Sequence, residues 1–294
     1  RKIRKNVKNL SISFVEILSI LCYTYRNLTA ECQAAVQRPA RQALTKGSEQ
    51  MPVSVKEQKE KKRKLGLLGG PGETEVFRIR DILAQGKPTL SFEVFPPKAE
   101  DKYDSVEEAA IRIARLKPAF MSVTYGAGGG TSKYTVDIAS SIKNQGVNAL
   151  AHLTCVSSTK EEVRRVLGEL KTRGIENVLA LRGDIPEGGP LAHDYRYASE
   201  LIREIRSFDG DFCIGAACYP EGHVESANKT EDIEHLREKV EAGCDFVTTQ
   251  MFFDNNILYN YLYRIRERGI TVPVVAGIMP VTNARQIDRI CRMS

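Results

Sequence analysis

A chain of 294 residues, 42% of them hydrophobic, has enough apolar side chain for one large core, while no run reaches the roughly 18 apolar residues of a membrane-crossing helix. The net charge of +6 belongs to the start: residues 1–75 carry +8 and residues 76–294 carry −2, so the main body has no basic excess to capture nucleic acid. Seven cysteines, an odd number without Cys-x-x-Cys or zinc-type spacing, argue against a disulfide framework and for a reducing, cytoplasmic compartment.

Residues 1–75 read as a basic N-terminal extension. Arg1 to Asn9 is basic, Ser11 to Tyr25 is apolar but interrupted by Glu16, and a polar stretch follows with the run Lys59 to Lys64. Such composition predicts disorder, and Met51 is a candidate true start.

Residues 76–294 read as one domain. Short apolar, β-branched runs occur at 89–95, 120–125, 148–155, 177–182, 213–219, 246–252 and 272–279, their starts about 26 to 36 residues apart, the length of a βα unit. Amphipathic segments lie between them at 106–116, 134–143, 160–172, 197–207, 231–242 and 256–268. Seven strands alternating with helices predict a parallel sheet covered on both faces. A doubly wound sheet and a barrel both fit that pattern. Polar residues at or near the C-terminal strand ends (Glu93, Thr124, His152, Asp184, Tyr219, Gln250) favour the barrel, whose active sites lie at that mouth.

The first strand places Ser91 and Glu93 on the face opposite Leu90, Phe92 and Val94. A carboxylate inside a barrel is costly unless it is paired, hydrated or used, and desolvation raises its pKa toward that of a general acid. A Glu held by a lumenal cation is the equal alternative. After the fourth strand, Gly183 permits close approach of backbone to a ligand between the opposite charges of Arg182 and Asp184, which taken singly read as a local structural pair. No G-x-G-x-x-G follows any strand, since Thr131 stands where the last glycine belongs; P-loop, H-E-x-x-H and G-x-S-x-G patterns are also missing. The four histidines lack metal spacing, so no metal is expected.

The segments Ser91–Lys98, Ser122–Gly126, Ala151–Cys155, Ala180–Asp184 with Pro186, Tyr219–His223, Thr249–Asp254 and Gly277–Pro280 together resemble the methylenetetrahydrofolate reductase family, in order and spacing, from about residue 78 onward. The resemblance implies an α/β fold, the (β/α)8 TIM barrel, here truncated after strand seven and the start of helix seven. It implies non-covalent FAD without a Rossmann motif, NADH or NADPH as reductant, and ping-pong reduction of 5,10-methylenetetrahydrofolate to 5-methyltetrahydrofolate for one-carbon metabolism and methionine synthesis. By motif, Glu93 corresponds to the general acid, Asp184 to the carboxylate beside the flavin pyrimidine edge, and Gln250 to the pterin-binding amide. Thr124, His152, Arg182, Gly183, Tyr197, Ala198, Tyr219, His223, Asp232 and Lys239 correspond to FAD contacts, although Asp232 and Lys239 also read as solvated helix positions. Two departures weaken this detail: Ser132-Lys133 and Ile290 differ from residues found in relatives. A pterin-binding barrel methyltransferase or synthase without flavin, and a non-catalytic degenerate barrel, are the competing readings. Because an eighth strand is missing, the chain is expected to be a fragment with unpaired edges at its first and seventh strands. On that reading it binds FAD weakly, tends to self-associate, and lacks roughly 60 to 100 residues of a typical barrel; the full-length protein is expected to be a homo-oligomer.

Overall fold

The computed structural model describes residues 17–18, 78–97, 100–125, 132–185, 192, 194–281, 283 and 286–287. Apart from residues 17–18, the expected N-terminal extension lies outside them, as do the glycine-rich residues 126–131 that follow the second predicted strand, and Ile290.

All seven expected strands form: β2 (Ser91–Val94), β3 (Phe120–Val123), β4 (Asn148–Thr154), β5 (Asn177–Leu181), β6 (Cys213–Cys218), β7 (Phe246–Thr249) and β8 (Val274–Val275). They pair in parallel and in chain order, with no reversal. A doubly wound sheet would reverse its order at a switch point, so the alternative of an open Rossmann-like sheet is set aside. The sheet curls instead: side chains from β2, β3, β4, β5, β7 and β8 line one common cavity. The result is a half-barrel of seven parallel strands.

Six of the helices follow the predicted amphipathic segments: α2 (Tyr103–Ala114), α3 (Ser132–Asn144), α4 (Lys160–Thr172), α5 (Ala198–Ser207), α6 (Lys229–Glu241) and α7 (Asn255–Glu267). Their starts are set by local chemistry. The Thr159 hydroxyl accepts from the Glu162 N–H, the Asn228 side chain from the N–H groups of Thr230 and Glu231, and the Asp254 carboxylate from the Asn256 N–H, each satisfying donors that a helix start leaves open. In α4, Val163, Val166, Leu167 and Leu170 are buried at helical spacing against the sheet. Beyond β8, Asn283 Oδ1 accepts from the Gln286 N–H at 3.0 Å, as a helix N-cap does.

Elements outside those expectations include a short strand and a short helix. A two-residue strand β1 (Ile17–Leu18) pairs antiparallel with β2, opposite Val94 and Glu93. The β2 edge expected to be unpaired is therefore met, as open backbone donors and acceptors require. A short helix α1 (Ile79–Leu83) closes the N-terminal end of the half-barrel. Its Ile79 N–H donates to Asn177 Oδ1 at 2.9 Å and its Arg80 N–H to Cys213 Sγ at 3.3 Å, both at strand starts. Ile79 and Leu83 then pack on inward-facing Phe120, Leu150, Leu179, Phe246 and Val275. That apolar plug fills the lower lumen. Gly215 of β6 makes room for it, because a Cβ there would lie 2.5 Å from the Phe246 ring and 2.8 Å from Leu179. Above the plug the inward positions turn polar.

Candidate functional site

Strand register carries the polar residues into the lumen. Glu93 of β2 lies directly opposite Ser122 of β3, and inward positions repeat every two residues, so His152 of β4 faces the same space one step above Leu150. Ser91, Glu93, Ser122, His152 and Thr248 form the polar part of the cavity, over a floor of Phe120, Leu150, Leu179 and Val275.

His152 is buried and Glu93 partly so, with side chains 7% and 14% exposed. Burial pushes the Glu93 carboxyl up to about 7, opposed by the hydrogen bond that Ser122 Oγ donates to its Oε2 at 3.2 Å. Burial pushes the His152 imidazole down to about 3. His152 Nε2 lies 3.5 Å from Glu93 Oε2 and has no hydrogen-bond partner. Both shifts disfavour charge, so between about pH 3 and 7 this is a contact between a neutral imidazole and a carboxylic acid rather than an ion pair. The alternative of a Glu held by a lumenal Arg or Lys is overturned: Glu93 is desolvated, and its hydrogen bond comes from a hydroxyl. Ser122, the polar member of the inward pair Phe120 and Ser122, is a site residue beyond those expected from the sequence.

A second group gathers at the mouth where β5 and β6 end. The Arg182 guanidinium is gripped at both ends by Glu225, whose Oε1 accepts from Nη2 at 2.7 Å and whose Oε2 accepts from Nη1. The expected local pair of Arg182 with Asp184 is thus corrected to a longer-range one, made possible by the loop after β6. Lys239 of α6 reaches inward, donating from Nζ to the Ala217 carbonyl at 2.9 Å and lying 5.6 Å from the centre of the Tyr219 ring. His223 packs edge-on against that ring, with centroids 4.7 Å apart. Asp232 is buried nearby. Desolvation raises its carboxyl against the attraction of Lys239 and His223, and desolvation lowers Lys239. Asp232 and Lys239 are therefore not solvated helix positions.

The remaining predicted residues sit around the rim. Gly183 adopts φ +86°, and a Cβ on it would lie 3.0 Å from Thr154 Cβ. Asp184 and Gln250 are exposed just beyond the ends of β5 and β7. Thr124 follows β3, its N–H donating to the Val94 carbonyl at 3.0 Å. Tyr197 is 46% exposed at the start of α5, with Ala198 buried behind it. The structure thus brings Glu93 together with His152, and Arg182, Tyr219, His223, Asp232 and Lys239 with one another. Thr124, Gly183, Asp184, Tyr197, Ala198 and Gln250 are placed singly along the same end of the sheet.

Over 223 residues the chain is 38% identical to the "Probable methylenetetrahydrofolate reductase (NADH)" of Oryza sativa subsp. japonica, covering 71% of this chain but 38% of that protein. It is 36% identical over 211 residues to the 5,10-methylenetetrahydrofolate reductase of Escherichia coli (strain K12), covering 71% of this chain and 70% of that one. The chain therefore spans well under half the length of the plant relative. A solved structure, titled as an uncharacterized protein from Clostridium thermocellum that binds two copies of 5-methyl-5,6,7,8-tetrahydrofolic acid, is 16% identical. It covers 69% of this chain and 70% of its own at a TM-score of 0.48, a likeness too loose to carry function. The sequence profile described as methylenetetrahydrofolate reductase matches residues 78–294, the whole of the half-barrel, and the chain belongs to that family.

Proposed function

We propose that this chain supplies the catalytic barrel of a methylenetetrahydrofolate reductase, and that Glu93 is its general acid. The observation that carries this reading is a carboxyl buried below the mouth of the half-barrel with its pKa pushed up to about 7, so that it holds a transferable proton near neutral pH. Opening the methylene bridge of the folate leaves an amine nitrogen to be protonated. Glu93 can deliver that proton, and Ser122 can then stabilise the resulting carboxylate through the hydroxyl it already donates. NAD(P)H and the folate alternate at this mouth in a ping-pong cycle on this reading; the NADH in the rice relative's name supports NADH as the reductant. We read the half-barrel as the larger part of a (β/α)8 barrel.

A bound FAD would supply hydride transfer between the two substrates. The chain's residues fit such a group in three respects: Gly183 leaves a backbone approach that a Cβ would fill, Tyr219 offers an aromatic face, and Arg182 and Lys239 bring positive charge to one side of the mouth. On this reading Asp184 and Gln250, exposed at the rim, meet the flavin edge and the pterin, and Thr124, His152, Tyr197, Ala198, His223 and Asp232 surround the cofactor. One group must move. The Arg182 fork is filled by Glu225, which a diphosphate has to displace.

Anaerobic stopped-flow tests the assignment. Glu93→Gln is expected to slow the folate half-reaction by about 10²–10⁴-fold, the usual worth of a general acid, while slowing flavin reduction by NADH far less. Equal slowing of both, with flavin retained, would make Glu93 structural. A folded chain that stays colourless after reconstitution with FAD would favour a flavin-free pterin enzyme instead.

A further inference from the structure

The imidazole beside Glu93 has an unusual environment. His152 Nε2 is buried, makes no hydrogen bond, and points at Glu93 Oε2 from 3.5 Å, while Ser122 Oγ holds the same oxygen at 3.2 Å. A buried polar nitrogen without a partner costs about 1–3 kcal/mol, and Glu93 is the group within reach that can relieve it. With the ring proton on Nδ1, only the protonated form of Glu93 can do so, because a carboxylate has no hydrogen to give; an Nε2–H would instead donate to the carboxylate and lower its proton affinity, against the upward shift of Glu93. An unprotonated Nε2 facing a carboxylate sets lone pair against charge.

We propose that His152 is the positioning residue of this acid: its unprotonated Nε2 accepts the hydrogen bond of the protonated Glu93 carboxyl and so holds the transferable proton on Oε2. The inference rests on the reading of Glu93 as the acid. Its consequence is directional. Once the proton leaves for the substrate nitrogen, Oε2 is left against the Nε2 lone pair, and reprotonation of Glu93 restores the only hydrogen bond that nitrogen can make. His152 therefore favours the acid form, which a proton taken up from solvent through the mouth restores after each turnover. The surroundings leave few rivals for this control: among the residues lining the cavity, from β2, β3, β4, β5, β7 and β8, Glu93 and His152 alone titrate. Arg182 and Asp184 are the charged groups at the end of β5, and burial followed by the Ser122 hydrogen bond accounts for the Glu93 shift.

Infrared difference spectra of the full chain across pH, subtracting Glu93→Gln, isolate the carboxyl stretch of Glu93 without relying on turnover. The expected result is a protonated carboxyl persisting to near neutral pH, its band lowered by donation to nitrogen. In His152→Phe, which keeps a ring but removes the acceptor, that band should rise. In His152→Gln the carboxamide N–H can donate to the carboxylate, so the titration midpoint should fall by about one pH unit, a tenfold change in proton affinity. A band unmoved by His152→Phe overturns the proposal; if that variant does not fold, an unmoved midpoint in His152→Gln overturns it. The folate half-reaction is read separately. Spectra as expected in a chain with no reductase activity would sink the proposed function while leaving the proton assignment standing.

Discussion

Gly183 shows how much one position at the mouth can weigh. Its backbone holds φ +86°, and a Cβ would meet Thr154 Cβ at 3.0 Å and Val156 Cγ1 at 3.4 Å. An L residue there takes a left-handed cost of about 1–2 kcal/mol, and relief of the contact requires the end of β4 to shift. That shift would strain the bonds from the N–H groups of Cys155 and Val156 to the Arg182 carbonyl, at 3.1 and 2.8 Å. Gly183→Ala is expected to lower the unfolding free energy by about 2 kcal/mol, measured by urea denaturation; a loss under about 0.5 kcal/mol would show that the mouth relaxes freely. The sequence announced a glycine where backbone meets ligand, and it announced Glu93 through the period of two. It did not announce Thr154 as the neighbour that crowds Gly183, because the crowding arises between strands.

At the scale of elements, legibility follows length. The helices α2 to α7 run 10 to 13 residues, long enough for a buried stripe to show through their polar positions, and every predicted strand formed. The five residues of α1 are too few for a helical period to separate from a strand, so the plug became visible only through its long-range bonds to Asn177 and Cys213. The same holds for the loop between β6 and α6, where Glu225 reaches back to Arg182. With Glu225 53% exposed, that pair is worth no more than about 1 kcal/mol. Losing it should scarcely affect folding, but it competes directly with an anion for the guanidinium. Glu225→Gln is therefore expected to tighten binding of FAD or ADP by about two- to fivefold, with an unfolding free energy changed by less than about 1 kcal/mol. Calorimetric titration decides it, and weaker binding in the variant would mean that Glu225 orients Arg182 for the ligand rather than guarding it.

For the molecule as a whole, the two lumenal groups should impose a recognisable pH dependence on stability. Glu93 shifts upward, from an ordinary 4.5 to about 7. Below about pH 4.5 its proton is bound in folded and unfolded chains alike; as pH rises to about 7 the unfolded chain ionises first, so stability falls, by about 3 kcal/mol in total. His152 shifts downward, from 6.5 to about 3. As pH falls through that interval the unfolded chain takes up a proton that the folded chain refuses, so stability falls in the acid direction. Between about pH 4.5 and 6.5 the two slopes oppose one another and nearly cancel, and outside that interval one acts alone. The pair thus contributes a plateau that drops on both sides. Other groups titrate too, among them Asp232, raised by burial, and Asp211 and Glu225, lowered by the arginines they bind. They are common to the parent and to a lumenal variant, and so cancel in the difference between their melting curves. Glu93→Gln should accordingly gain on the parent as pH rises from about 4.5 to about 8, by on the order of 5–10 °C in Tm for about 3 kcal/mol. His152→Gln should instead gain as pH falls from about 6.5 to about 4. Any packing change made by either substitution is independent of pH and offsets its curve without tilting it. Melting each protein at matched ionic strength across that range is the measurement. A difference between Glu93→Gln and the parent that stays constant from about pH 4.5 to about pH 8 would mean that Glu93 ionises at its ordinary pH, and neither the general acid nor its imidazole partner would survive that result.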